Sequence, residues 1–216
     1  SGSHPDAMDG YWPAEVTREI VLVREEHHML EAQLSALGLT PADINYVVMS
    51  HLHLDHAGSL HLFSGTEAGK RVIVQEAELK QALFDTCSGE GTMRNGYHRP
   101  DFLDVPGIRF EIVNGDLELA PDLKLISLPG HSAGLLGALI HLENAGSFVF
   151  TSDAVNWAPN LGPPLHISGV FYDTVEMVKS MRRVKWLMER YDAQPIFGHD
   201  PEQIDSLLQS PDGYYE

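Results

Sequence analysis

The sequence predicts an α/β domain in which sheets and helices form layers, and three observations support this. Short apolar runs typical of buried strands alternate along the chain with segments of helical periodicity. The chain has 216 residues, a length at which one domain can bury a sizeable core. Hydrophobic residues make up 43% of it, and its glycines and prolines are scattered, which is typical of a globular protein. We therefore expect a single domain over residues 8–216.

The first 40 residues divide into an irregular start and a helical region. Residues 1–7 show no periodicity, and Ser-Gly-Ser-His is typical of an expression-tag scar or a disordered start, so they are left outside the predicted domain. From residue 13 to 38, apolar side chains recur every three or four residues, and Gly38 is suited to end a helix. This spacing predicts one long helix or two successive helices.

Short strands and helices are predicted over the rest of the chain. Residues 44–49 are rich in β-branched side chains, which predicts a buried strand. Residues 88–104 are polar and glycine-rich, which predicts a loop that could cover a site. A hairpin is predicted around Glu143-Asn144-Ala145-Gly146. Further strands are predicted at 72–75, 108–113, 117–119, 123–128, 135–142, 147–152 and 194–197, and helices at 76–84, 173–190 and 202–208.

The charge balance and the cysteine count exclude several classes of partner. Fourteen Lys and Arg against 31 Asp and Glu give a net charge of −17, so no nucleic-acid partner is expected. No apolar run approaches the ~20 residues of a membrane-spanning helix, so no membrane partner is expected. The single cysteine, Cys87, cannot form an internal disulfide, and no secretory signal is visible, which favours a cytoplasmic location.

Four potential metal ligands lie within six residues, directly after the strand predicted at 44–49. They are His51, His53, Asp55 and His56. In an extended segment His51 and His53 project to one side, and Asp55 and His56 at the following turn can point toward a second nearby position. A histidine-rich loop beside a buried strand is costly unless each ring finds a partner. The pattern therefore predicts a site for two metals.

Three more candidate ligands stand at the carboxyl ends of other predicted strands, where α/β folds place their chemistry. They are His131, Asp153 and His199. A single histidine at such a position is more often an ordinary hydrogen-bonding residue, so the prediction depends on the whole set. Imidazole nitrogen and carboxylate oxygen are ligands of zinc in hydrolytic sites, and a carboxylate such as Asp153 can bridge two cations about 3.5–4 Å apart.

Four motifs carry a resemblance to a known family. They are His-Leu-His-Leu-Asp-His-Ala-Gly from His51, Leu-Pro-Gly-His-Ser-Ala-Gly around His131, Ser-Asp-Ala at Asp153 with Gly-Pro-Pro shortly after, and Phe-Gly-His-Asp-Pro-Glu-Gln around His199. The chain resembles the metallo-β-lactamase superfamily of metal-dependent hydrolases from about His4 to the C-terminus. Within it, the chain looks most like the N-acyl-homoserine lactonases, quorum-quenching enzymes that open the lactone ring of bacterial quorum-sensing signals.

The resemblance implies a fold and a ligand set. The fold is an αββα sandwich, and since the family begins with several strands and an Asp-Thr-Gly turn at about the point where this chain starts, some N-terminal strands are expected to be lacking. The implied cofactors are two Zn²⁺ per chain, with Fe, Co or Mn as alternatives. One metal is held by His51, His53 and His131, the other by Asp55, His56 and His199, and Asp153 bridges them.

The implied reaction is lactone hydrolysis by attack of metal-bound hydroxide on the ring carbonyl. Asp55 is expected to pass a proton to the departing alkoxide. Asn156 stands where these lactonases often carry a tyrosine, and its amide can donate to a developing oxyanion but cannot shuttle a proton. Candidate contacts of the acyl chain are Trp12, Met29, Phe102, Trp157, Leu161 and Phe171, and His166, in the Gly-Pro-Pro loop, is a further residue that could face the substrate.

Three alternatives remain at this point. A glyoxalase II-like thioesterase or another hydrolase of the same fold would use the same ligands, although a glutathione substrate would favour basic residues near the metals. A β-lactam hydrolase is disfavoured because those enzymes are exported. A non-catalytic, metal-stabilised binding protein would keep the ligands for structure alone. The small-molecule lactone is the expected partner, and lactonases of this kind are often homodimers.

Overall fold

The computed structural model describes residues 2–89, 91, 93–210 and 212–216, which form two compact units. Unit 1 comprises the chain up to Val74 together with Leu79–Ile112, and unit 2 comprises Gln75–Glu78 and Val113–Glu216. The α-helices within the described residues are α1 (Ala14–Thr17), α2 (Leu30–Ala36), α3 (Leu54–Ala57), α4 (Glu76–Cys87), α5 (Thr174–Tyr191) and α6 (Pro201–Ile204). The strands are β1 (Val47–Val48), β2 (Val72–Gln75), β3 (Met93–Arg94), β4 (Tyr97–His98), β5 (Phe110–Val113), β6 (Leu117–Ala120), β7 (Leu123–Ser127), β8 (Leu136–Leu142), β9 (Gly146–Ser152) and β10 (Gln194–Phe197).

A three-stranded sheet of order β1-β2-β5 organises unit 1. β1 runs parallel to β2, with Val47 paired with Val72. All four residues of β2 are buried, as expected for a strand covered on both faces. The strand predicted at 44–49 is confirmed but shortened to two residues, although Met49 still donates its N–H to the carbonyl of Ile73 at 2.9 Å. The histidine-rich segment that begins at His51 follows this strand, so the sheet fixes the point from which that segment starts.

Of the two arrangements predicted for residues 13–38, one long helix or two successive helices, the structure has the second, with the short helices α1 and α2. Between them the Arg24 guanidinium donates to the carbonyls of Ser3, His4 and Pro5, which ties the segment to the start of the chain. Val23, one of the residues that carried the helical pattern, is 93% exposed. The helical pattern is thus interrupted between α1 and α2, where Val23 buries no apolar surface that would stabilise a continuous helix.

The predicted polar loop at 88–104 contains a small hairpin. β3 and β4 pair antiparallel, with Met93 opposite His98. Tyr97 and His98 are buried, as are Asp101 and Phe102 just beyond the hairpin. Sequence composition suggested a solvated loop, whereas the second half of the segment belongs to the interior of unit 1.

Unit 2 is built on a five-stranded sheet of order β10-β9-β8-β7-β6. β6 to β9 form an antiparallel meander, and β10 joins β9 in parallel. The predicted hairpin at 135–152 is confirmed, with Leu142 paired with Gly146 across its turn. The core of the unit consists of apolar residues from β7, β9 and α5, among them Ile126, Leu128, Val149, Met177, Met181 and Val184. The strand ends of this sheet carry the remaining candidate ligands.

Helix α5 matches its prediction closely, beginning after Asp173, whose side chain accepts from the backbone N–H groups of Val175 and Glu176. The last predicted helix is shorter than expected: α6 ends at Ile204 instead of 208. None of the helices in the described part of the chain is long and apolar enough to cross a membrane.

Candidate metal centre

Four of the predicted ligands are brought together in unit 1 by a change from extended chain to helix. His51 and His53 lie in extended chain, and α3 begins directly after His53 and carries Asp55 and His56. The His51 ring centroid lies 4.6 Å from that of His53 and 4.1 Å from that of His56. Nε2 of His56 lies 3.4 Å from Oδ2 of Asp55. The spacing predicted from sequence thus produces a compact group of ligand atoms.

The two leucines of the His-Leu-His-Leu-Asp-His motif explain why this segment holds its shape. Leu52 is fully buried in the main apolar cluster of unit 1. Leu54 is buried in a second cluster with Ala7 and Trp12. Burying a leucine stabilises the fold by about 1.5–3 kcal/mol, so these two side chains fix the backbone while the residues between them carry the ligands.

His131 lies in the loop after β7 and is oriented by its neighbours in unit 2. Its Nδ1 lies 3.1 Å from the carbonyl oxygen of Val170. Because a carbonyl can only accept, this contact requires the proton on Nδ1 and leaves the lone pair of Nε2 available for a metal. Nε2 in turn lies 3.5 Å from Oδ2 of Asp153.

Gly130 allows this loop to approach the start of α5. Its φ of +134° is disfavoured for other residues, and a Cβ there would come within 2.2 Å of the backbone nitrogen of Met177. Its carbonyl accepts from the backbone N–H groups of Tyr172 and Asp173 at 2.8 and 2.9 Å. Glycine is therefore needed immediately before the candidate ligand His131.

Asp153 follows β9, and its Oδ2 also lies 3.0 Å from Nε2 of His199. His199 follows β10 and donates its backbone N–H to the carbonyl of Asn156 at 3.0 Å. The backbone N–H of Gly198 donates in the same way to the carbonyl of Val155. These two bonds hold the loop that carries His199 against the loop that carries Asp153.

Each unit carries part of the predicted ligand set: His51, His53, Asp55 and His56 lie in unit 1, and His131, Asp153 and His199 lie in unit 2. Within unit 1 a ligand atom of His51 lies within 4.8 Å of one of His53, and the same holds for Asp55 and His56; within unit 2 it holds for Asp153 and His199. Asp153 is 3% exposed and lies beside the buried ring of His131, and a buried carboxylate is costly unless it is paired or hydrogen-bonded. The donors are nitrogen and oxygen atoms, whereas the single thiol, Cys87, is exposed on α4. This donor set fits a divalent metal.

The other predicted site residues differ in their exposure. Asn156 is partly buried, and within the described residues its Oδ1 has no hydrogen-bond partner. Trp157 is 54% exposed. His166 is also exposed; its backbone N–H donates to the carbonyl of Asn160, and its own carbonyl accepts from the side-chain amide of Asn160. Phe102 is 1% exposed within the apolar cluster of unit 1, so it has almost no surface to offer an acyl chain.

A short acidic residue stabilises the next helix after His199. Asp200 caps α6 by accepting from the backbone of Gln203 at 3.1 Å, and it also accepts from the backbone of Ala158 at 3.0 Å. The hydrogen bonds from these backbone N–H groups, that of Ala158 first, lower the pKa of Asp200 below its usual value. Asp200 thereby links the loop after Asn156 to the loop after His199.

Sequence analysis missed two residues that contact the histidine-rich segment in unit 1. Gly96 and Tyr97 approach His53 closely, and both lie in the segment that was predicted as a polar loop. The Asn95-Gly96 dipeptide, a common hairpin turn, was the available signal.

Comparison with known proteins gives one family and several close relatives. Residues 5–185 match the model of the metallo-beta-lactamase superfamily. The N-acyl homoserine lactonase AiiB of Agrobacterium fabrum is 35% identical over 225 residues, covering 100% of this chain and 79% of that protein. The N-acyl homoserine lactonase AttM of Azorhizobium caulinodans is 35% identical, covering 96% of this chain and 74% of that protein.

Among solved structures, an N-acyl homoserine lactone hydrolase superposes with a TM-score of 0.82 at 28% identity. The match covers 100% of this chain and 80% of that chain, and the structure has the product N-hexanoyl-L-homoserine bound at its catalytic metal centre. The predicted fold class is confirmed by this likeness and by the family match.

Proposed function

Because this chain belongs to the metallo-beta-lactamase superfamily, we propose that it hydrolyses the lactone ring of N-acyl-homoserine lactones. The observation that carries the proposal is the set of seven predicted ligands, four of them clustered in unit 1 and three at the strand ends of unit 2, in a chain 35% identical to a named lactonase. The product of the reaction is the ring-opened N-acyl homoserine. This is the hydrolysis of a carboxylic ester by a metal-dependent enzyme.

We assign these seven ligands to two cations. His51, His53 and His131 would hold one, Asp55, His56 and His199 the other, and Asp153 would bridge them. The contacts of Asp153 Oδ2 with a histidine of each set, at 3.5 and 3.0 Å, support the bridging role. We propose zinc because its preferred ligands in hydrolytic sites are imidazole and carboxylate, and it needs no thiolate.

When bound, two such cations supply a water of lowered pKa and a Lewis acid for the ester carbonyl. The residues of the chain supply orientation and proton transfer. The Nδ1 contact of His131 with Val170 fixes the ring so that Nε2 faces the site. Asp55 is partly exposed beside His56, so its carboxyl can exchange protons with solvent and serve the departing ring alkoxide.

Asn156 is proposed to stabilise the oxyanion. Its backbone carbonyl is held by His199, which places the residue beside the candidate ligands. Its side-chain amide is partly buried, and the amide nitrogen can donate to a carbonyl oxygen that becomes negative. Trp157 and His166, both exposed, are proposed contacts of the substrate at the rim.

An uncharged acyl lactone suits the charge distribution better than an anionic thioester. In α5, the most basic helix of the chain, Arg183 is paired with Asp116 at 2.6 Å and Lys179 with Glu176 at 2.6 Å. Lys185 donates to the carbonyl of Leu161. These cations are engaged within unit 2, so they are poorly placed to bind an acidic substrate.

Lactone hydrolysis by the purified, zinc-loaded protein tests the proposal. N-hexanoyl and N-decanoyl homoserine lactones are supplied, and acid release is followed with and without a chelator. We expect rapid ring opening that the chelator abolishes and added zinc restores. Absence of turnover in a folded protein that holds two metals per chain would overturn the lactonase assignment.

A further inference from the structure

Gly96 packs directly against the ring of His53. A Cβ at position 96 would lie 3.0 Å from Cδ2 and 3.2 Å from Nε2 of that ring, closer than most real Cβ contacts. Gly96 also has a φ of +83°, a conformation that other residues rarely adopt. The backbone of the β3–β4 turn therefore forms one wall of the space that the His53 imidazole occupies.

Two further contacts bind this turn to the ligand segment. The carbonyl of Gly96 accepts from the backbone N–H of Leu54 at 2.9 Å. The ring of Tyr97, 2% exposed, meets the His53 ring edge-on, with centroids 4.8 Å apart and an interplanar angle of 61°. An isolated antiparallel bridge joins the backbones of His53 and Tyr97. The imidazole is thus restrained by a backbone wall on one side and by an aromatic ring on another.

The hairpin is itself anchored by buried carboxylates at its turn and at the end of β4. Asp85 on α4 is buried and accepts from Gln81 at 2.8 Å and from Asn95 at 3.1 Å. Beyond the turn, Oδ2 of Asp101 lies 3.2 Å from Nδ1 of His98, and both residues are buried. These contacts restrain the turn, because moving it would break the hydrogen bond that Asn95 donates to the buried carboxylate of Asp85.

We propose that the turn of Gly96 and Tyr97 is a positioning device that sets the orientation of the His53 ring and thereby the affinity of the metal held with His51 and His131. This inference rests on the proposed function, which assigns His53 to that metal. Residues that orient a ligand in this way commonly contribute 10–100-fold to metal affinity. Gly96 and Tyr97 are positioning residues, since they act through His53.

The test compares Gly96→Ala with Gly65→Ala. Gly65 has a similar φ of +77°, but a Cβ there meets nothing within 4 Å, so the control carries the backbone strain without the contact. Zinc per chain and zinc affinity are measured by titration against a chromophoric chelator, and circular dichroism checks folding. We expect Gly65→Ala to bind both zinc ions with the affinities of the wild type. In Gly96→Ala we expect the affinity for one zinc ion to be kept and the affinity for the zinc ion held by His53 to fall about 10–100-fold.

A remote variant keeps the proposal falsifiable if Gly96→Ala does not fold. Asp85→Asn leaves every residue that touches His53 in place but removes one of the two acceptors that hold Gln81 and Asn95. We expect the same selective loss of one zinc, together with a changed absorption spectrum of the cobalt-substituted protein. Unchanged affinities in both folded variants, or in Asp85→Asn alone if Gly96→Ala does not fold, would overturn the inference. A wild-type chain that binds fewer than two metals would instead overturn the metal assignment of the proposed function.

Discussion

Oδ2 of Asp153 lies 3.0 Å from Nε2 of His199, in the loops that follow two neighbouring strands of one sheet. The same oxygen lies 3.5 Å from Nε2 of His131, at the end of a third strand. One carboxylate atom is therefore within reach of two imidazoles that the proposed function assigns to different metals. Removal of its charge should affect both cations together.

Asp153→Asn is expected to lose most bound zinc and to lower kcat/KM by at least about 10³-fold, because an amide cannot offset the charge of two cations. Metal content after dialysis and lactone hydrolysis measure the two effects. Asp205→Asn, which changes an exposed acid at the end of α6, serves as the control. Retention of two tightly bound metals by Asp153→Asn would contradict the bridging role.

Asp55→Asn is expected to keep much of its metal but to lose most turnover, by about 10²–10⁴-fold, because the amide cannot give a proton to the leaving alkoxide. The ratio of turnover to bound zinc is the quantity to measure. Asp122→Asn, an exposed change in a turn between two strands, is the matched control. Full turnover in Asp55→Asn would exclude the proton-transfer role.

Asn156→Ala is expected to lower kcat by about 10²-fold with little change in zinc affinity, since it removes one hydrogen-bond donor to the oxyanion. Asn144→Ala, in the β8–β9 turn, is the control for the loss of an asparagine amide. Steady-state kinetics on one lactone separate kcat from KM. A change in KM alone would mean that Asn156 binds the ground state and does not act on the transition state.

Acidification should weaken the attachment of the start of the chain in unit 1. Burial, reinforced by the charge of His61, lowers the pKa of His4, whose ring stacks on Tyr11 at 3.7 Å. The unfolded chain then takes up a proton below about pH 6.5 that the folded chain resists, so stability falls as pH decreases from there. Melting temperatures of wild type and His4→Gln at pH 5.5 and 7.5 measure this, and we expect a smaller pH effect in the variant. An equal fall of the melting temperature in wild type and variant would show that groups other than His4 cause the pH effect.

An ion pair holds α5 to the sheet of unit 2. Partial burial of Asp116 opposes ionisation, but the hydrogen bond from Arg183 and neighbouring groups outweigh it and lower the pKa of Asp116. A lowered pKa means that the pair stabilises the fold above about pH 4 and that this contribution disappears as pH falls further. Asp116→Asn should cost about 1 kcal/mol at pH 7, a fall in Tm of about 2–4 °C. Thermal melts at pH 7 and pH 3 check this, and a difference that persists at pH 3 would contradict the ionic explanation.

Prediction from sequence succeeded where the local pattern of residue types and the burial of the segment in the fold favour the same structure. The spacing of His51 and His53 predicted rings on one side of the chain, and their centroids lie 4.6 Å apart. A helix was predicted at 173–190, and the observed helix α5, Thr174–Tyr191, differs from it by one residue at each end. In both cases local pattern and tertiary burial agree.

It failed where long-range contacts override local preference. The helical pattern over residues 13–38 does not mark the break between α1 and α2, where Arg24 bonds to carbonyls some 20 residues away. The segment with Tyr97 and His98 has the composition of a loop, yet it is buried, and Asp85 on α4, outside the segment, accepts from Asn95 in its turn. Composition within a short window cannot report such partners.

The carbonyls of Pro129 and Gly130 are held by Ser180, Tyr172 and Asp173, at the beginning of α5. The position of His131 therefore depends on that helix end as well as on the strand before it. For protein engineering, the transferable module is the pair of segments 129–131 and 170–180 together, since Val170 orients the His131 ring. Grafting the histidine loop alone onto another scaffold would leave the His131 ring without the contacts that orient it. Random mutagenesis for altered metal preference should include the first two turns of α5.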